Sequence, residues 1–259
     1  MAKTNVTPSG AIFDVDDTLL DNSYSPKKDG YHERLRLQAM HEIGKTHGIA
    51  QLQKATIEQS VEAFRTVKTT TFTYTLWNML CMLNLRHNPD EPNPNDDLVI
   101  AITNRKNELY KELLASDVQE VPGSTRFVKD IARLTGGSVA IGSSALFDDI
   151  KLYLNTKGII EYFPDERITS IESVTHAKPN PEVFNKAFKS LGLPESSRAR
   201  VCVFEDDPRG IIAAKAAGLF ACAITTRHTA DEFRSSLVPP DFIANSYDEF
   251  SAHFITPTP

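Results

Sequence analysis

Two patterns of apolar and polar positions share this chain. In the first, short apolar runs end abruptly in small, hydroxylated or acidic residues, at 11–13, 139–141, 167–169, 200–205, 220–225 and 241–244. Runs of that length with such boundaries predict buried strands. In the second, Leu35, Ala39, Met40 and Ile43, then Val61 and Phe64, then Leu76, Met79, Leu80 and Leu83 recur at helical spacing. That spacing predicts helix over most of 31–110. The proline-rich polar stretch 88–96 interrupts it as a loop, helix resumes over 98–114, and Pro122-Gly123 closes the segment. Strands separated by helical segments predict an α/β fold with a doubly wound, mainly parallel, Rossmann-like sheet. The helical segment falls between the first and second strands. The predicted organisation is therefore a core domain from 1–22 and 118–259, with a helical domain, 23–117, inserted in it.

Chemistry enters at the end of the first strand. Phe13-Asp14-Val15-Asp16-Asp17-Thr18-Leu19-Leu20-Asp21 passes from apolar residues straight into carboxylates and one hydroxyl. In parallel α/β sheets, ligands sit beyond the carboxyl ends of strands. Asp14 and Asp16, two positions apart, repel unless a proton or cation neutralises them. Mg²⁺ is the simple solution, because it takes one or two carboxylates and leaves positions for water or phosphate. A carboxylate can also attack phosphorus to form an aspartyl-phosphate. Asp14 is thus read as nucleophile and Asp16 as its proton-transfer partner. The competing reading is an acidic cluster that caps a helix.

Three later segments bear on that choice. The strand 139–141 leads into Gly142-Ser143-Ser144. Gly142 would let the backbone approach a ligand, Ser143 could donate its hydroxyl to a phosphate oxygen, and Ser144 could offer a backbone N–H if a helix begins there. A plain serine helix cap is the alternative. His176-Ala177-Lys178-Pro179-Asn180-Pro181 precedes the helical pattern 182–191, placing Lys178 to neutralise a phosphate, although most lysines are merely solvated. Val201-Cys202-Val203-Phe204 runs into Glu205-Asp206-Asp207. Asp206 would complete a Mg²⁺ site with Asp14, and Glu205 could hold a metal-bound water.

Taken in order, these segments resemble the haloacid dehalogenase superfamily of phosphohydrolases. The matching positions are Asp14-x-Asp16-x-Thr18, Ser143, Lys178-Pro179 and Glu205-Asp206, with Gly210 and 213–218 similar to the stretch after the last motif. The resemblance covers 9–22 and 118–250. It implies a helical cap at 23–117 that closes over the site, excluding water during phosphoryl transfer and readmitting it for hydrolysis. It further implies Mg²⁺ held by Asp14, Asp206 and the backbone carbonyl of Asp16. Ser143, Ser144 and Lys178 would bind phosphate, with Thr18 and Glu205 in support. Dehalogenases and phosphonate-cleaving relatives lack an acid at the position of Asp16, so its presence points to phosphate monoesters. Sugar-phosphate mutases of the β-phosphoglucomutase type typically carry glycine where Asp17 stands. Hydrolysis of a small phosphorylated metabolite is therefore the first reading, a mutase the second, and a catalytically silent binding module the third.

Composition narrows the setting. At 259 residues and 41% hydrophobic content the chain can bury one large core and a smaller one. A net charge of −6 argues against nucleic acid and against a basic membrane patch. No apolar run spans a bilayer and the first residues lack a signal-peptide core, so a cytoplasmic enzyme is expected. Cys81, Cys202 and Cys222 are odd in number and dispersed, as reduced packing residues would be. Among the helices, the candidates for substrate contact are Thr70 and Tyr74, from a threonine- and aromatic-rich stretch at 69–75 that is otherwise a distorted helix start, and Lys68, which could reach an anionic substrate or be solvated surface. Trp77 and Phe72 read as core anchors. Arg65 could reach an anionic substrate too, against solvated surface as the plainer reading, and His32, His41, His47 and His87 lack paired metal-ligand spacing.

Overall fold

The computed structural model describes residues 6–22, 30–66, 72–116 and 118–255, without the side chains of Arg65 and Phe72. Lys68 and Thr70 lie outside the described residues. The chain divides into two compact units, 1–21 with 117–259, and 22–116.

The larger unit is built on a six-stranded, all-parallel sheet in the order β3-β2-β1-β4-β5-β6. Its strands are β1 (Gly10–Phe13), β2 (Val139–Gly142), β3 (Ile168–Thr169), β4 (Val201–Glu205), β5 (Phe220–Ile224) and β6 (Phe242–Ala244). The strand predicted over 167–169 is shorter than its apolar pattern suggested, because Asp165–Arg167 forms a 3₁₀ turn. Period-two alternation sends successive side chains to opposite faces. Ile12, Ala140, Val203, Ala221 and Ala223 meet helices α8 (Glu182–Ser190) and α9 (Pro208–Ala216) through Phe184, Phe188, Ile211 and Ala214. Phe13 and Phe204 face the other way, with ring centroids 5.0 Å apart and near-parallel planes. Phe127 of α6 (Ser124–Leu134) and Phe250 of α11 (Tyr247–Phe254) meet Phe204 edge-on, each at 5.0 Å. Each fully buried ring contributes about 1.5–3 kcal/mol by its area, and edge-on geometry adds to that. Helix α6 buries Ser124, Phe127, Val128, Ile131 and Ala132, a stripe at helical spacing that lays it on the sheet. Helices on both faces make the sheet doubly wound.

The smaller unit is helical: α1 (Tyr31–His47), α2 (Ala50–Gln53), α3 (Ile57–Thr66), α4 (Phe72–Met82) and α5 (Asp97–Ser116). Its core joins Met40, Leu52, Ala63, Leu76, Met79, Leu80, Val99 and Ile102. Trp77 is buried there, and its indole N–H donates to the carbonyl of Asn88 at 2.9 Å. Thr73, Tyr74 and Thr75 lie within α4 despite their poor helix propensity, because the Leu76/Met79/Leu80 stripe is buried. His41 Nε2 is hydrogen-bonded to the Ala55 carbonyl. All three cysteines are free, with Cys202 and Cys222 buried in β4 and β5. No helix among the described residues is long and apolar enough to cross a membrane.

Candidate active site

The strand order reverses direction at β1, which pairs with β2 on one side and β4 on the other. Such a switch point leaves a crevice beyond the strand ends. Register decides what meets there. Phe13 pairs with Phe204, and the Asp14 N–H extends the ladder to the Phe204 carbonyl at 3.0 Å. Asp14 and Glu205 therefore leave the sheet side by side. On the other flank Phe13 pairs with Ile141, and the Ser143 N–H donates to the Thr169 carbonyl.

After Asp14 the chain makes one tight turn in which the Val15 carbonyl accepts from the N–H groups of Thr18, Leu19 and Leu20. Asp17 takes φ 57°, a left-handed conformation that aspartate tolerates better than most residues. Four groups of the larger unit pin this turn. Tyr153 OH and Ser124 Oγ donate to the Leu19 carbonyl at 2.7 and 3.0 Å. Tyr247 OH donates to the Thr18 carbonyl at 3.0 Å, and Thr226 Oγ1 to that of Asp17 at 2.5 Å.

Asp14, Thr18, Ser143, Glu205 and Asp206 are buried, and Asp16 is half-buried. Lys178 Nζ lies 2.6 Å from both Asp14 Oδ1 and Glu205 Oε1, with its side chain only 8% exposed. Its ammonium also stands 4.8 Å above the buried Phe184 ring. The second oxygen of Glu205 accepts from the N–H groups of Asp206 and Asp207, both at 2.9 Å. Asp206 Oδ1 accepts from Thr18 Oγ1 at 3.1 Å, whereas Asp206 Oδ2 is buried without a hydrogen-bond partner. Asp207 caps α9 by accepting from the Arg209 N–H, and Pro208 follows at the first helical position.

Electrostatics follow from burial. It pushes the Asp14 carboxyl up to about 7; Glu205 and Asp16 push the same way, and Lys178 opposes them incompletely. Asp206 is raised well above the usual carboxylate range by burial, then by Glu205, Asp14 and Asp17. For Lys178, burial works against the charge, but Asp14 and Glu205 outweigh it and hold its pKa above the ordinary value. Carboxylate oxygens of Asp14, Glu205 and Asp206 lie within 4.8 Å of one another. Lys178 bonds Asp14 and Glu205 and Arg227 stands 3.8 Å from Asp206 Oδ2, yet that oxygen is buried without a hydrogen-bond partner and marks where more positive charge is wanted. An all-oxygen donor set suits a hard divalent cation such as Mg²⁺. The oxygens of Glu205 are already engaged by Lys178 and two N–H groups, so among the three it fits a supporting role best.

Two local expectations change. Helix α7 (Phe147–Thr156) starts at Phe147 with Leu146 as its cap, so the exposed Ser144 is not at a helix start and its N–H is not a helix-terminal donor. Gly142 is small because α8 packs on it: a Cβ there would lie 2.9 Å from the Phe184 ring. Tyr74 is half-buried in the helical unit. Sequence reasoning passed over Arg227, which follows β5 and lies 3.8 Å from Asp206 and 3.9 Å from Asp17. Its only signal was a basic residue just past a strand end. It also passed over Tyr153 and Tyr247.

A strand-end nucleophile candidate, a paired lysine and an acidic pair on adjacent strands define a phosphoryl-transfer type of α/β protein. The family model described as haloacid dehalogenase-like hydrolase matches residues 8–218, and the chain belongs to that family. Glycerol-1-phosphate phosphohydrolase 1 of Saccharomyces cerevisiae is 32% identical over 116 residues, 43% of this chain and 45% of its own length. A β-phosphoglucomutase of Mycobacterium bovis is 31% identical over 145 residues, 54% of this chain and 52% of its own length. The chain thus spans about half the length of the curated relatives it matches. The fold is like that of CbbY from Rhodobacter sphaeroides solved with phosphate, at TM-score 0.65 and 22% identity over 95% of this chain and 99% of that one.

Proposed function

We propose that this protein is a Mg²⁺-dependent phosphatase that hydrolyses a small phosphate monoester through an aspartyl-phosphate on Asp14. The observation that carries the reading is Lys178 bridging Asp14 and Glu205 beside the unpartnered Asp206 oxygen. A cation fixed next to a candidate nucleophile at a strand switch point is suited to an anionic substrate. Similarity to phosphohydrolases supports the same reaction class.

In this mechanism Asp14 attacks phosphorus in line, and protonated Asp16 gives its proton to the leaving oxygen. Asp16 then takes a proton from the water that cleaves the aspartyl-phosphate. Ser143 and Lys178 offset charge on the non-bridging oxygens, the kind of preorganised stabilisation that usually contributes most. Asp14, Asp206 and the Asp16 carbonyl would hold Mg²⁺, which would supply the positive charge that keeps Asp14 ionised despite its burial. Thr18 orients Asp206, and Glu205 orients Lys178. The helical insertion, 23–117, is assigned to substrate selection, with Lys68, Thr70 and Tyr74 as its contact candidates.

The test is release of inorganic phosphate from a panel of phosphorylated metabolites, with Mg²⁺ and with EDTA. Activity indifferent to chelation overturns the metal assignment, and no release from any ester overturns the hydrolase. The similarity to β-phosphoglucomutase favours a mutase as the second reading. Isomerised sugar phosphate formed only with a bisphosphate activator would decide for it.

A further inference from the structure

Among the described residues, Lys178 and Arg227 face the acidic cluster at different stations. Lys178 serves Asp14 and Glu205 by direct hydrogen bonds. Arg227 stands by other carboxylates, with guanidinium nitrogens 3.9 Å from Asp17 Oδ2, 3.8 Å from Asp206 Oδ2 and 4.0 Å from Asp207 Oδ2. These separations are too long for hydrogen bonds but short for Coulomb attraction in a partly buried place. Arginine keeps its charge under all ordinary conditions. The two residues just before it are anchored: the Thr225 N–H donates to the Ala244 carbonyl, and Thr226 Oγ1 to the Asp17 carbonyl. Arg227 is therefore held where it is by the acid turn itself, with its side chain 20% exposed. Arg209 is paired with Asp207 at 3.1 Å.

Asp206 Oδ2, 3.8 Å from Arg227, is the same oxygen that is buried without a hydrogen-bond partner. A guanidinium beside a metal-ligand candidate has two opposite effects. It relieves repulsion among Asp17, Asp206 and Asp207 when no cation is bound. It also repels a divalent cation that would sit against Asp206.

We propose that Arg227 is a positioning residue, a fixed counter-charge that stabilises the metal-free acid cluster and weakens its affinity for a divalent cation. The proposal rests on the cation reading of Asp14 and Asp206 given above. In this arrangement the site trades tightness for ready exchange, and the fold does not depend on a bound ion.

Two neutral replacements, Arg227→Met and Arg227→Gln, test it beside the charge-preserving Arg227→Lys. Thermal melts in EDTA and calorimetric titration with Mg²⁺ are measured on the whole chain. The neutral variants should melt at lower temperature in EDTA yet bind Mg²⁺ on the order of tenfold more tightly, as loss of a nearby like charge implies. Arg227→Lys should stay within about threefold of the parent, since it keeps the charge. A neutral variant that is unfolded in EDTA and folds on adding Mg²⁺ supports the same conclusion. Unchanged or weaker Mg²⁺ binding in both neutral variants overturns it, as does unfolding that Mg²⁺ does not reverse. If the parent protein binds no Mg²⁺ at all, the cation reading falls and this inference falls with it.

Discussion

A Cβ placed on Gly210 would lie 1.9 Å from Oε1 of Glu205. The carboxylate fills the space that any other residue would occupy at this position of α9, and the same oxygen holds Lys178. Alanine in a helix normally gains up to about 1 kcal/mol over glycine. Here the sign should reverse. Gly210→Ala must push Glu205 off Lys178 or bend the start of α9, with a cost of about 1–3 kcal/mol typical of overpacking. Urea unfolding measures it, and a more stable Gly210→Ala protein would refute the contact. Phosphatase activity should fall with stability, because Lys178 loses one of its two tethers.

Two buried hydroxyls should matter to the acid turn more than their distance from the chemistry suggests. Tyr153 and Tyr247 donate to the Leu19 and Thr18 carbonyls, and burial raises the pKa of both phenols, so they remain protonated donors. Tyr153→Phe leaves the Leu19 carbonyl with Ser124 Oγ and the Val121 N–H, so its loss should be small, about 0.5–1.5 kcal/mol. Tyr247→Phe should cost at least as much. Both should lower kcat while KM changes little, since the turn carries Asp16 and Thr18. A fall confined to KM would show that the turn keeps its shape without them.

Much of this site was legible because its signals are local. An apolar run that stops at an aspartate marks a strand end whatever the partner strands are, which is how Asp14, Ser143 and Glu205-Asp206 stood out. Arg227 was not legible, since its meaning depends on β5 lying next to β4, a fact of sheet order. Gly142 was assigned to ligand approach from its neighbours alone, whereas Phe184, forty-two positions later, is what requires a small residue there. The helix start on which the Ser144 N–H depended was not legible either: helix α7 begins three residues further on, where no capping side chain marks it. The strands themselves followed the apolar pattern, with ends displaced by a residue or so where 3₁₀ turns intervene.

The buried Asp14 carboxyl predicts a pH signature in the metal-free protein. Its folded-state pKa rises from 3.8 to about 7. Between those values the folded state binds the proton more tightly than the unfolded chain does. Stability must therefore fall as pH rises from about 4 to about 7 and level off above that. Asp14→Asn cannot ionise, so in EDTA its stability curve should lack this contribution, and Mg²⁺ should flatten the curve of the parent. The same variant should retain the fold and lose nearly all phosphatase activity. Parallel curves for parent and variant across that window would remove the assignment of a destabilised carboxylate.

In the helical unit, Asp96 performs two jobs at once. Its Oδ1 accepts from the Leu98 and Val99 N–H groups at the start of α5, and its two oxygens take Arg86 Nε and Nη2 at 2.5 and 2.9 Å. Although partial burial opposes ionisation, Arg86 and the helix N–H groups hold its pKa below the usual value. Asp96→Ala should cost about 1–2 kcal/mol, the range for a lost helix cap. The stability it supplies is present above the ordinary carboxylate pKa and is lost as pH falls through the lowered one, so the variant and parent curves should converge in acid. Differential scanning calorimetry checks both statements.

Lys178 and Tyr74 separate phosphoryl chemistry from substrate choice. Lys178 is bound to Asp14 in the larger unit and would meet the phosphoryl group common to every monoester. Lys178→Ala removes that charge and leaves Asp14 and Glu205 facing each other without it, so turnover of all substrates should drop together, by roughly 10²-fold or more. Tyr74 lies on α4 in the inserted unit and is half-buried. If the insertion selects the substrate, Tyr74→Ala should reorder a panel of sugar, glycolate and nucleoside phosphates, with individual kcat/KM values shifting roughly 10–200-fold. Equal loss across the panel in Tyr74→Ala would assign that residue to folding of the helical unit, and selection would then have to come from elsewhere in 23–117.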